Sequence, residues 1–264
     1  MTVGLVGALV GAEFHPPGTE DFVYGCYVGD GATCFNFPVA LVAATVLIVL
    51  GLFYFAFRAP TVVPGKLQSV MEMGMGFVRE QVAMPMLGHD ADRFLPLLVA
   101  FFFYIVIGNL FEVAPMVNFS HNSRVAFPLV LGVISWLVYN YQGMKKHGVF
   151  GYLKFVCIIG SAPPLLRYTL LPPIEFVTGI VMRPLTLAVR LTANFVAGHF
   201  LLAVFFLGTE FFILNGPKTW AFAAVSFPLA VILVAFEVFV SLLQAFIFTI
   251  LTASYIGGAM AEDH

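Results

Sequence analysis

Residues 229–256 read LAVILVAFEVFVSLLQAFIFTILTASYI. The stretch holds no Pro, Gly or Asn, the residues that let a chain turn, and Glu237 is its only charge. A conventional span needs only ~20 apolar residues to cross a hydrocarbon core ~30 Å thick. The apolar run from Trp220 to Ala261 is about twice that length. Splitting it into two spans would leave irregular backbone unsatisfied in lipid. One continuous helix is therefore expected, and at 1.5 Å per residue it would reach ~63 Å. To stay within the bilayer it must lean at roughly 60° to the normal, against the usual ~20°.

The preceding run, Tyr168 to Thr209, is similar in length but carries Glu175, Arg183, Arg190 and His199. Asn215, Gly216 and Pro217 are the turn residues between the two runs. The expectation is a pair of long, steeply tilted helices over 168–209 and 219–261.

Working outward, the rest of the chain agrees with a membrane protein. Of 264 residues, 61 % are hydrophobic and 10 % are charged, too few to clothe a soluble sphere. A net charge of −2 with no basic block argues against a nucleic-acid partner. Phe35 to Phe57 is one uncharged span, Phe94 to Val117 a second broken only by Glu112, and Val125 to Met144 a third. Between the first two, Pro60 to Asp92 has Leu67, Val70, Met71, Phe77 and Val78 roughly on one helical face. Gln68, Glu72, Arg79 and Glu80 fall on another, as in a helix lying on the membrane surface. The fold class expected is an all-α polytopic membrane protein. It has three ordinary transmembrane helices, one surface amphipathic helix and two long tilted ones.

No basic residue precedes Arg58. Arg58, Lys66, Arg79, Arg93, Lys145, Lys146, Lys154 and Arg167 then fall on one side of the membrane, with only Arg124 and Lys218 on the other. The positive-inside rule places the N-terminus outside and the C-terminus in the cytoplasm. Residues 1–34 form an external segment and 35–264 a single membrane domain. Cys26 and Cys34 could pair there in an oxidising space or stay as free thiols. Met1 to Ala12 is apolar but short and has no basic residue before it, a poor match to a cleaved leader. No Gly-rich phosphate loop, Cys/His metal spacing or nucleophile motif occurs, so no cofactor is expected.

The charges left inside the apolar runs carry the functional argument. An Arg at a span centre costs ~2.5–3.5 kcal/mol on insertion scales, so such a residue usually lines a pathway or meets a partner. Arg183 can reach back to the interface as a snorkelling anchor. Arg190 sits deeper; it is either paired with Glu237 or Glu175, or functional. At 100° per residue Arg183, Leu187, Arg190, Asn194, Ala197 and Leu201 share one stripe, and His199 points the opposite way. On the last helix Glu237, Ser241 and Gln244 share a face. Glu and His can titrate near neutral pH when their surroundings shift them, as a proton path requires.

Residues 183–199, RPLTLAVRLTANFVAGH, resemble the signature of the a subunit of F-type ATP synthase. Its last helix is similar to the block from Glu237 through Gln244-Ala245-Phe246-Ile247-Phe248 to Tyr255, and Pro172-Pro173-Ile174-Glu175 and Gly108-Asn109-Leu110 look like further landmarks. The likeness runs from about residue 35 to the end. It implies a non-catalytic stator subunit of a proton-transporting complex in the bacterial plasma membrane. Two offset half-channels there pass protons to and from carboxyls on a rotating ring of c subunits. Arg190 corresponds to the fixed cation that prevents a short circuit. Glu237 and His199 correspond to the outer-channel acid/His pair with the residue types exchanged relative to some members. Asn194 and Gln244 match polar residues near the Arg, while Glu112 and Glu175 are weaker matches along the route. The ring would lie against Leu187, Arg190, Asn194, Ala197 and Leu201, with Ser241 from the last helix. Other implied partners are the peripheral-stalk subunits b and b′, the remaining ATP synthase subunits and membrane lipid. A self-contained transporter would need moving repeats and its own ion site, and neither is found. A scaffold would have no use for Arg190, Asn194, Glu237 and Gln244 in lipid.

Overall fold

The computed structural model describes residues 36–114, 124–152 and 171–261, and every regular element among them is helical. The segment with Cys26 and Cys34, the loop before Arg124, the stretch with Lys154 and Arg167, and the last three residues lie outside the described residues.

Helix α1 (Phe37–Phe57) starts where the Asn36 side chain accepts the Val39 N–H at 3.3 Å, with Pro38 in its first turn. Leu47, Leu50 and Phe55 point outward from it, as lipid-facing side chains do. After it come α2 (Lys66–Val78), a π turn (Arg79–Ala83), α3 (Met84–Leu87), a 3-10 turn and α4 (Ala91–Val113). The chain is helical almost without interruption from Lys66 to Val113, but it is not one rod. Gly88 takes φ 53°, a conformation that side chains disfavour, and folds α2 back along α4. Arg79 then bonds Asp92 at 2.9 Å, Phe77 meets Phe102, and Gly74 sits so close to Phe103 that a Cβ would stand 2.6 Å from its ring.

The amphipathic stretch thus forms the expected helix, with its apolar residues divided. Met71 and Val78 turn inward to the core, while Leu67, Val70 and Phe77 remain exposed. Neighbouring elements, not the helix's own periodicity, decide which apolar side is covered.

Helix α5 (Ala126–His147) has the length of a span. It is not among the four helical stretches of the described residues that are both long and apolar enough to cross a membrane: 37–57, 66–113, 172–214 and 220–260. Its second half, with Trp136, Asn140, Gln142, Lys145, Lys146 and His147, is polar where the others are apolar. The long pair forms as expected. The first member is α6 (Leu171–Phe176), a π turn (Val177–Met182) and α7 (Arg183–Leu214); the second is α8 (Trp220–Met260), 41 residues without a break despite Pro228. Gly216, at φ 94°, makes the turn between them.

The packing has a simple register. Gly198 of α7 meets Glu237 of α8, and Thr209 bonds Ser226 at 2.9 Å, eleven residues on in one helix and eleven back in the other. The two are antiparallel throughout. Helices α4 and α8 pair in the same sense: the Phe101 and Phe248 rings meet edge-on at 5.4 Å, and eleven residues further Glu112 lies within charge-interaction range of Glu237. Helix α5 runs parallel to α8, with Ser135 donating to Thr252 at 3.1 Å, Tyr139 against Tyr255 and Lys146 donating to the Met260 carbonyl at 2.6 Å. A lysine at a helix C-terminus answers both the unpaired carbonyl and the negative end of the dipole. Thr45, Thr192, Thr209 and Thr249 each donate to a carbonyl one turn back, so their hydroxyls are satisfied without water.

Candidate functional site

Helix α8 buries Glu237, Ser241, Gln244, Phe248, Thr252, Ile256 and Ala259 on one continuous side, the spacing of a helix packed along its whole lower length. The polar members stand at its upper end. Glu237 is 4 % exposed, Ser241 2 % and Gln244 6 %, and across from them on α4 Glu112 is 5 % and Asn109 5 % exposed. Glu112 Oε1 and Gln244 Nε2 are buried with no hydrogen-bond partner among the described residues. Leaving such an atom unsatisfied costs ~1–3 kcal/mol, so a membrane helix keeps it only where it has use.

Gly198 provides the room for Glu237. A Cβ at that position would stand 2.6 Å from Glu237 Oε2 and 2.7 Å from Oε1, so the carboxyl occupies the volume a side chain would take. Gly198 stands in the signature stretch, yet the sequence gives no sign that its partner is Glu237. That contact needs the register of two distant helices. Its neighbour His199 is half-buried and stacks on Phe195 at 5.6 Å, on the side that faces α1.

Arg190 is on the other side of α7. It is exposed and makes no ion pair or hydrogen bond among the described residues, so the alternative of a structural pair with Glu237 or Glu175 is not what the fold adopts. Continuing the Gly198–Glu237 register by eight residues sets Arg190 level with Ala245, beside Gln244. The cation and the lower end of the polar row therefore share a height and differ in exposure. Ala197 and Leu201 are exposed with Arg190, and Asn194 is half-buried. Leu187 and Ser241, expected on the same outward surface, are 1 % and 2 % exposed; the chain's own packing covers them, because α5 lies over α7 at that level and Ser241 belongs to the inward row. Glu175 is half-buried in α6, fifteen residues before Arg190 and so ~22 Å below it along the helix. The fold does not bring it to the row. Arg183 lies between two rings, 5.0 Å from that of Tyr255 and 5.8 Å from that of Tyr139. It is a cation held by aromatic faces.

The site thus combines an exposed cation, without a partner among the described residues, with a buried carboxyl/amide row on a neighbouring helix. No cluster among the described residues could hold a metal ion. The sequence model of the family described as "ATP synthase A chain" matches residues 39–257. The ATP synthase subunit a of Streptomyces lividans is 39 % identical over 258 residues, 96 % of this chain and 90 % of the relative. That of Rhodococcus erythropolis is 38 % identical over 264 residues, covering 98 % and 95 %, and that of Frankia alni is 36 % identical over 266 residues, covering 99 % and 91 %. With its signature residues on the exposed and buried sides of one helical pair and its length matched almost end to end, the chain belongs to the ATP synthase A chain family.

Proposed function

We propose that the chain is the stator subunit that conducts protons through the membrane sector of a bacterial F-type ATP synthase. Arg190 acts as the fixed cation facing a ring of c subunits. Such a role needs a charge presented outward without a competing internal acid, and an exposed Arg190 with no partner among the described residues is the observation that carries the reading. A ring carboxylate ~4 Å from Arg190 would gain up to ~4 kcal/mol at an effective dielectric of 20, enough to hold it and still release it. A membrane potential supplies ~2.3 kcal/mol per proton per 100 mV, comparable to that attraction.

The row Glu112, Glu237, Ser241 and Gln244 is the proton route on one side. It descends about eight residues' worth of helix, ~12 Å, to the height of Arg190. Its unpartnered oxygen and nitrogen, each buried, are the handholds a hydrated path requires. His199 and Asn194 serve at the same end, and Glu175 belongs to the opposite entrance. The ring rests on Arg190, Asn194, Ala197 and Leu201. The N-terminus is outside and the C-terminus cytoplasmic, and the long helices lean steeply so that they follow the ring's curve. Peripheral-stalk subunits b and b′ hold the chain in place.

The test is Arg190→Ala in the assembled complex. ATP synthesis driven by a proton gradient is expected to vanish while the subunit remains in the membrane; normal synthesis would sink the reading.

A further inference from the structure

Helix α7, which carries Arg190, begins in an unusual way. The π turn Val177–Met182 runs into α7, whose second residue is Pro184. Proline has no N–H and pushes away the carbonyl one turn back. The missing donor would have served Ile180 in an α-helix, four residues back, or Gly179 in a π-helix, five back. These two carbonyls are the ones that α5 serves. Trp136 Nε1 donates to the Ile180 carbonyl at 2.8 Å and the Tyr139 hydroxyl to the Gly179 carbonyl at 3.1 Å. Gly132, one turn earlier on the same side of α5, lets the Pro184 carbonyl approach to where a Cβ would be 2.7 Å away. Tyr139 is fully buried, and its ring also backs Arg183.

We propose that Trp136 and Tyr139 are positioning residues for Arg190: by donating to the two carbonyls within reach of the N–H that Pro184 lacks, they hold the widened turn open and so fix the direction in which α7 presents the cation. The proposal rests on Arg190 being the working cation. A π turn holds more residues per revolution than an α turn, so gaining or losing its register rotates everything beyond it. Arg190 is six residues past Pro184, less than two turns along the same helix. A shift there moves the guanidinium by ångströms, and misplacement on that scale is costly to a reaction.

The experiment uses the intact ATP synthase in native membrane vesicles, reading ATP-driven acidification per assembled complex and the amount of subunit. Trp136→Phe with Tyr139→Phe keeps an aromatic ring at each position and removes both donors. Pumping per complex is expected to fall about tenfold or more. Pro184→Ala restores an N–H at the position that the two donors compensate. Alone it should pump within about twofold of wild type, and added to the double variant it should recover pumping to within about threefold. A merely space-filling role for the rings would not respond to an N–H on the other helix. Undiminished pumping in the double variant overturns the proposal, and so does a loss that Pro184→Ala leaves unrepaired. If the double variant does not assemble, recovery of assembled complex by Pro184→Ala decides the matter in the same way. Failure of the stator reading would show separately, as unchanged pumping in Arg190→Ala.

Discussion

At one height in the membrane, α7 and α8 treat their polar residues in opposite ways. Arg190 on α7 is exposed and unpaired among the described residues, while Gln244 on α8, at the same level, is buried and shielded from lipid by its own chain. A guanidinium cannot shed its charge, so it is tolerable in a membrane only where a counter-charge will come to it. A carboxyl or amide can be enclosed, because it is neutral or can become so. The pair teaches that the permanent charge faces outward and the groups that can be neutral line the inside.

The sharpest way to break this contrast is Arg190→Ala, which removes the outward charge and should abolish synthesis, read as ATP formed by energised vesicles. Next comes Gly198→Val. It puts methyls where the Glu237 carboxyl lies, and pumping should drop about tenfold or more. Gly198→Ala should cost less, since the carboxyl is the far end of a flexible side chain, and Glu237→Asp in the Gly198→Ala background should recover part of the loss. If Gly198→Val pumps normally, Glu237 does not work from this position. Glu237→Gln keeps the shape and the packing on Gly198 but cannot carry a proton; flux should slow severalfold, about 10²–10⁴ being the range for a proton-transfer group that is obligatory. Wild-type pumping at wild-type subunit levels would remove Glu237 from the route. Smallest is Ser135→Ala, which breaks the buried bond to Thr252. It should cost about 1 kcal/mol of stability, seen as a slightly lower melting point of the complex, with pumping unchanged.

The sequence reveals the long pair well because the signal is local. A run without Pro, Gly or Asn has no means of turning in lipid, and Asn215-Gly216-Pro217 has every means. It reveals the surroundings poorly. In a soluble protein the apolar side of a helix is the inside, but in a membrane both sides are apolar, and periodicity does not say which faces the chain and which the lipid. Leu187 and Arg190 share a stripe at 100° per residue, yet α5 covers the first and leaves the second open. Ser241 shares its face with Glu237 and so goes inward with it. The reversal at Gly88 and the contact between Gly198 and Glu237 are also beyond a linear reading. Each depends on a neighbour dozens of residues away. The widened turn before Arg183 did have a sequence cue, Pro184 following an arginine inside an apolar run, but its partners on α5 did not.

The bond from Lys146 to the Met260 carbonyl has a mechanical meaning. Helix α8 is a beam secured at both extremities: Thr209 and Ser226 clasp it near the Gly216 turn, and Lys146 pins its far tip to α5. A beam supported at both ends deflects far less under a sideways load than one fixed at a single end. A subunit beside a turning rotor receives such a load at every step, and a stiff α8 delivers it to the rest of the protein as torque instead of absorbing it as bending.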